Sequence, residues 1–206
     1  MIAIIDYKAG NLPSVKRACD FLGIESEITH DPQTVSKAQR IIFPGVGHAN
    51  SAMETLRSRG LDRALKEAFS QSRPILGICL GTQIILNHSD EGDTKCIGLI
   101  GGNCPRFSLN DPLLKIPHMG WDSIQLLKKH PVMTDVGEND EFYFVHSYYP
   151  QPSDPAFIIG TCEYEVTFPA VIGTGSLIAT QFHPEKSGPA GLRILRNFAI
   201  WDGKVQ

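Results

Sequence analysis

The chain has 206 residues, of which 42% are hydrophobic and 20% charged; 19 Lys and Arg against 22 Asp and Glu give a net charge of −3. That length suits one domain, 1–206, with a full-sized core, and the near-neutral balance argues against nucleic acid or an anionic membrane as partner. No apolar run approaches the ~18 residues of a membrane span, and the five cysteines, odd in number and without Cys-x-x-Cys spacing, point to reduced thiols in the cytoplasm.

Met1-Ile-Ala-Ile-Ile-Asp6 lacks a basic leader and reads as a first strand, not a signal peptide. Asn11 can cap a helix running to about Leu22, with Pro13 in its first turn and Gly23 at its end. Val15, Ala18, Cys19 and Leu22 give that helix an apolar stripe. Ile24 to Thr29 and Arg40 to Pro44 are the next strand candidates, Leu56 to Ser70 reads as a helix, and Pro74 to Ile78 as a fourth strand. Strands alternating with helices imply a parallel sheet covered on both faces, with ligands bound beyond the carboxyl ends of its strands. Pro44-Gly45-Val46-Gly47 lies at that edge. It is either a simple turn or a flexible source of backbone N–H groups for an oxyanion hole shared with Leu80.

Gly77-Ile-Cys79-Leu-Gly81 then joins a core strand to a helix-compatible run, Thr82 to Asn87. Glycines two places either side of a cysteine at such a junction match the nucleophile elbow, where side chains beside the nucleophile would clash. A cysteine at the first turn of a helix also meets N–H groups that favour its thiolate. The alternative is a buried structural cysteine. Beyond an acidic loop, Ser89 to Gly92, short segments follow: Cys104 to Ser108, Ser123 to Leu127, Phe142 to Tyr149, Ile158 to Val166 and Leu177 to Phe182. They read as antiparallel strands extending or packing on the parallel sheet. Pro189 to Trp201 closes the chain as a helix. In Thr180-Gln-Phe-His183-Pro-Glu185-Lys186, an extended backbone would turn His183 and Glu185 to the same side. Cys79, His183 and Glu185 thus supply a nucleophile, a base and a carboxylate to orient it.

With these residues the chain resembles the class I, triad-type glutamine amidotransferases, and among them the glutaminase subunits of imidazole glycerol phosphate synthases. The similarity covers nearly the whole chain. It runs through Asp6-Tyr7 with Gly10-Asn11-Leu12, Phe43-Pro-Gly-Val-Gly47, Gly77-Ile-Cys-Leu-Gly-Thr-Gln83 and Ser89-Asp-Glu-Gly92. It continues in Pro117-His-Met-Gly-Trp121, Phe144-Val-His-Ser-Tyr148 and Gln181-Phe-His-Pro-Glu-Lys-Ser187. The resemblance implies an α/β fold with a central, mostly parallel sheet flanked by helices and extra antiparallel strands in the C-terminal half. It also implies hydrolysis of glutamine to glutamate and ammonia by Cys79, His183 and Glu185, with Gly45, Val46, Gly47 and Leu80 at the oxyanion. Gln83 and Glu91, with backbone near Ser147, would hold the charged ends of glutamine, which need pairing on burial. No metal or organic cofactor is implied.

Ammonia released without an acceptor would be lost, and the chain shows no acceptor domain. The resemblance names the partner as a (β/α)8 barrel cyclase subunit in a heterodimer, with Asn11, His118, Trp121 and Lys186 as docking residues. Lys8 stands where the family has glycine, His48-Ala49 replaces Ala-Phe, and Asp122 replaces asparagine. These departures leave the triad intact. They keep open a paralogue supplying ammonia to another synthase, such as one forming an acetamidino sugar.

Overall fold

The computed structural model describes residues 1–8 and 10–205; Ala9 and Gln206, inside the expected 1–206 domain, lie outside the described residues. The N-terminal half runs β1 (Ile2–Ile5), α1 (Leu12–Phe21), β2 (Ser26–Thr29), α2 (Pro32–Lys37), β3 (Arg40–Gly45), α3 (Ala49–Arg59), α4 (Leu61–Ser70), β4 (Ile75–Cys79) and α5 (Leu80–Ile84). The C-terminal half runs β5 (His88–Ser89), β6 (Thr94–Lys95), β7 (Gly102–Cys104), β8 (His118–Ser123), β9 (Gln125–Leu126), β10 (Glu141–His146), β11 (Gln151–Pro152), β12 (Ile158–Tyr164), β13 (Val166–Thr174), β14 (Leu177–Thr180) and α6 (Gly188–Ile200).

Eight strands form the main sheet in the order β2-β1-β3-β4-β14-β13-β12-β9. The pairs from β2 to β14 are parallel, and those from β14 to β9 antiparallel. This is the expected α/β architecture. β1 shows why its strands are continuously apolar: Ile2 and Ile4 face one core with α1 and α6, while Ala3 and Ile5 face a second core with α3 and α4. A separate two-stranded ribbon pairs β8 with β10, and a small sheet orders β11-β7-β5-β6.

The structure corrects the expected elements in three places. The single helix from Leu56 to Ser70 is two: α3 ends at Gly60, whose φ of 71° is the left-handed cap that glycine allows. α2, opened by Asp31 accepting from the Gln33 and Thr34 N–H groups, has only six residues and no clear stripe in sequence. The helix after the elbow starts at Leu80, not Thr82, and ends at Ile84.

Candidate active site

Cys79 is the last residue of β4, and its backbone, at φ 53° and ψ −107°, turns directly into α5. A positive φ at a non-glycine residue is strain that the surroundings must enforce. They do so by leaving no room: a Cβ on Gly77 would lie 2.9 Å from the Ala179 Cβ, and one on Gly81 would lie 1.9 Å from the Phe43 carbonyl oxygen. Register fixes the rest. Gly45 pairs with Cys79 across β3 and β4, which starts the Val46-Gly47 loop beside the nucleophile. Thr180 pairs with Ile78 across β14 and β4, so the chain leaving β14 reaches His183 next to the elbow.

His183 and Glu185 meet by a different route from the extended one expected. Pro184–Lys186 forms one 3-10 turn, and that turn brings Glu185 Oε1 to 2.7 Å from His183 Nδ1. The His183 N–H donates to the Tyr143 carbonyl at 3.0 Å, and the Ser187 hydroxyl donates to the His183 carbonyl at 2.6 Å, so the ring's backbone is tied to β10. Both side chains are enclosed, at 1% and 0% exposure. Burial opposes a charge on His183, but the attraction of Cys79, together with the hydrogen bond and charge of Glu185, outweighs it and lifts the imidazole to about 10. Its Nε2 is buried and has no hydrogen-bond partner among the described residues. The ring therefore has one nitrogen held by a carboxylate and the other without a hydrogen bond among the described residues.

Two supporting residues had no such role in the sequence reading. The Asn11 amide donates to Glu185 Oε1 and lies 3.5 Å from His183 Nδ1. Asn11 sits at the head of α1 as expected, but its side chain does not cap the helix. Gln181, fully buried, directs Nε2 at the Cys79 sulfur at 3.8 Å. A buried glutamine between strand residues was its only signal.

A cavity of about 270 Å³ is lined by Val46, Gly47, Cys79, Leu80, Gln83, Glu91 and Ser147, with Pro117 and Val145 to Tyr148 completing it. It lies just below the ~300–1,000 Å³ range of drug-sized ligand sites. Seven residues expected from sequence thus meet around one space, while Gly45 lies behind it with its Cα against the buried Tyr7 hydroxyl. Glu91 Oε2 accepts from the Ala49 N–H at 2.7 Å, while Oε1 stands 3.8 Å from His48 Nε2. Gln83 Nε2 donates to the Tyr148 carbonyl at 2.8 Å and to Gln181 Oε1 at 3.1 Å. With both amide hydrogens used, Gln83 offers a ligand only its oxygen, which suits an ammonium or amide N–H; a carboxylate would need backbone donors instead.

The four docking candidates separate. Trp121 is half exposed, and Lys186 lies on the surface with its Nζ 5.6 Å above the Tyr143 ring. Asn11 is partly buried against the triad. His118 is 1% exposed and stacks on Tyr164 and Phe144, so its ring presents no docking surface. Among the described residues, no group of three or more His, Cys, Asp or Glu side chains is arranged to hold a metal ion.

A cysteine at a strand-to-helix turn, a histidine held by a carboxylate and a small polar cavity thus lie at the carboxyl edge of a mostly parallel sheet. The family model for glutamine amidotransferase class-I matches residues 3–201, and the chain belongs to that family. An imidazole glycerol phosphate synthase subunit HisH from Nitratidesulfovibrio vulgaris is 47% identical over 96% of this chain and 95% of its own. Proteins of the same name from Dehalococcoides mccartyi (44%, 96% of both chains) and Chromobacterium violaceum (40%, 99% of both) agree. This places the chain in the HisH branch and does not favour the paralogue. Among solved structures, a glutamine amidotransferase crystal structure matches with a TM-score of 0.72, 15% identity and 96% of this chain and 97% of its own covered, which speaks for the fold alone.

Proposed function

We propose that Cys79, His183 and Glu185 carry the glutaminase reaction of an imidazole glycerol phosphate synthase in histidine biosynthesis, and that the whole chain is one amidotransferase domain. The carrying observation is the His183 ring, held by Glu185 on one nitrogen with the other unpaired among the described residues, on the chain that leaves β14 beside the Cys79 elbow. His183 Nε2 takes the Cys79 proton, and Cys79 Sγ then attacks the side-chain carbonyl carbon of glutamine. The oxyanion meets the Leu80 N–H and donors of the Gly45-Val46-Gly47 loop. The tetrahedral intermediate collapses as His183 returns the proton to the leaving nitrogen, which departs as ammonia. An imidazole lifted to about 10 is charged at neutral pH, ready for that donation. Water, deprotonated by His183, then attacks the γ-glutamyl thioester and releases glutamate. These steps call for no metal or organic cofactor.

Glu91 suits the α-ammonium of glutamine, and the backbone near Ser147 its carboxylate. Gln83, in this reading, holds the cavity wall and presents its oxygen to the ligand. The ammonia goes to a (β/α)8 barrel cyclase subunit in a cytoplasmic heterodimer. Met119 and Trp121 on β8 support a docking face, since both large side chains are more than half exposed on a ribbon whose Val145 carbonyl is 4.0 Å from Cys79 Sγ. Lys186 borders that face. The test is Cys79→Ala: glutamate release should vanish while ammonia-dependent synthesis by the complex persists. Release near the wild-type rate would refute the assignment.

A further inference from the structure

Four groups run in line from the protein surface to the wall of the cavity. Asp122 Oδ2 lies 2.7 Å from His118 Nε2, His118 Nδ1 lies 3.0 Å from His146 Nε2, and His146 Nδ1 lies 2.8 Å from the Tyr148 carbonyl oxygen. The same carbonyl accepts from Gln83 Nε2 at 2.8 Å. Each of the three contacts in the line needs one hydrogen. Both ends of the line, a carboxylate and a carbonyl, only accept. Two neutral imidazoles bring one N–H each. One contact would then set acceptor against acceptor, so the observed line needs a third proton.

We propose that Asp122, His118 and His146 are positioning residues that fix the Tyr148 carbonyl, and with it Gln83, through a relay that holds one proton more than two neutral imidazoles, centred on Asp122 and His118. The functional half of this inference rests on the glutaminase reading; the proton count does not.

The surroundings decide where the extra proton sits. His146 is enclosed, and burial pushes it down to about 3, with His118 and His183 adding to the effect and the Tyr148 carbonyl opposing it. His118 is the alternative. It packs on Tyr164 and Phe144, with Phe107 and Phe168 at its edges, and its one charged contact is Asp122. Asp122 lies half-buried at a surface hollow that also carries Glu138, Glu163 and the Cys162 thiol. Burial nevertheless lowers His118 below its ordinary 6.5, against the pull of Asp122. The relay is therefore complete only below the ordinary histidine range and loses its proton as pH rises.

After that loss the carboxylate keeps its donor, because the charge-assisted contact is the stronger one. His118 then donates through Nε2, and His146 donates through Nε2 to His118 Nδ1. The empty contact falls at the Tyr148 carbonyl. Proton uptake thus converts His146 from its Nε2–H to its Nδ1–H tautomer. A carboxamide at position 122 would supply the missing hydrogen from its own NH₂ group and hold His146 in the Nδ1–H form at every pH.

The experiment is a ¹⁵N-histidine titration of the full chain, wild type and Asp122→Asn, joined to glutamate-release kinetics of the complex. In the wild type, His118 should take up a proton and His146 should change tautomer in one step; in Asp122→Asn neither should change. The KM for glutamine of Asp122→Asn at neutral pH should fall about fivefold, the worth of one neutral hydrogen bond, with kcat little altered. Asp122→Ala, which supplies neither charge nor donor, should show no such gain. A single His146 tautomer across the wild-type titration, or a switch that survives in Asp122→Asn, overturns the relay. An Asp122→Asn KM equal to wild type overturns its positioning role. The tautomers are read without turnover, so failure of the relay is distinguishable from failure of the glutaminase reading.

Discussion

Replacing Asn11 by glycine should slow glutamine hydrolysis without touching the nucleophile. The Glu185 carboxylate is fully enclosed; Oε1 accepts from the Asn11 amide and faces His183, and Oε2 has no partner among the described residues. Asn11 is therefore its amide support. A hydrogen bond to a charged group contributes about 1.5–3 kcal/mol, and about 1.4 kcal/mol is tenfold in rate. We expect kcat/KM to fall between roughly 10- and 100-fold. KM should change little, because Asn11 does not line the cavity. Glycine is the clean substitution. Asn11 has a φ of 76°, which glycine adopts freely, whereas alanine would add about 1–2 kcal/mol of backbone strain. No helix cap is lost, since the Asn11 side chain makes none. Asn11→Asp would set a second carboxylate against Glu185 and should be slower still. Steady-state glutamate release, with thermal unfolding as a check on the fold, decides the matter. An Asn11→Gly enzyme within twofold of wild type, or Asn11→Asp faster than Asn11→Gly, would refute the reasoning.

Gly81→Ala should displace the elbow and cost at least ~1–3 kcal/mol of stability, because its Cβ would lie 1.9 Å from a backbone oxygen that cannot step aside; an unchanged urea midpoint would contradict this. His183, lifted from 6.5 to about 10 in the folded chain, gives stability that is complete below 6.5 and is lost as pH rises through about 10. The urea midpoint of the wild type should fall across that window more steeply than that of His183→Gln, and parallel slopes would count against the pairing with Cys79. Trp121→Ala should weaken association with the cyclase partner about tenfold or more, as the loss of an exposed aromatic anchor does; an unaltered Kd by calorimetry would remove Trp121 from the docking face.

The parts of this fold legible in sequence are those set by short-range chemistry. β1 and β4, and β3 after Arg40, are buried on both faces, so each is an unbroken apolar run. The elbow was legible because its glycines and cysteine lie within five residues. What escaped depends on distance. The contact of Asn11 with Glu185 spans 174 residues and replaces the local capping that asparagine usually provides. β8 carries Gly120 between Met119 and Trp121, and its strand character comes from pairing with β10, not from β-branched content. The pairing of His183 with Glu185 was legible as a relation between two residues but not as a geometry, because Pro184 opens a 3-10 turn where an extended strand also satisfies the sequence.

The placement of the three triad members bears on how a partner could influence them. Cys79 ends a strand held between β3 and β14 and is wedged by Gly77 and Gly81, so its position belongs to the core. His183 and Glu185 are held differently. The His183 N–H donates to the carbonyl of Tyr143, which pairs opposite Trp121 and lies under Lys186. Glu185 is held by Asn11 at the head of α1. Asn11 and Lys186 are thus bonded or adjacent to Glu185, and Trp121 pairs with the residue that holds the His183 backbone. A partner pressing on this face would reach the imidazole and its carboxylate through these contacts, and the sulfur only across the 4.0 Å separation from the Val145 carbonyl. Coupling of that kind should appear in kcat, through proton transfer to the leaving nitrogen, before it appears in glutamine binding.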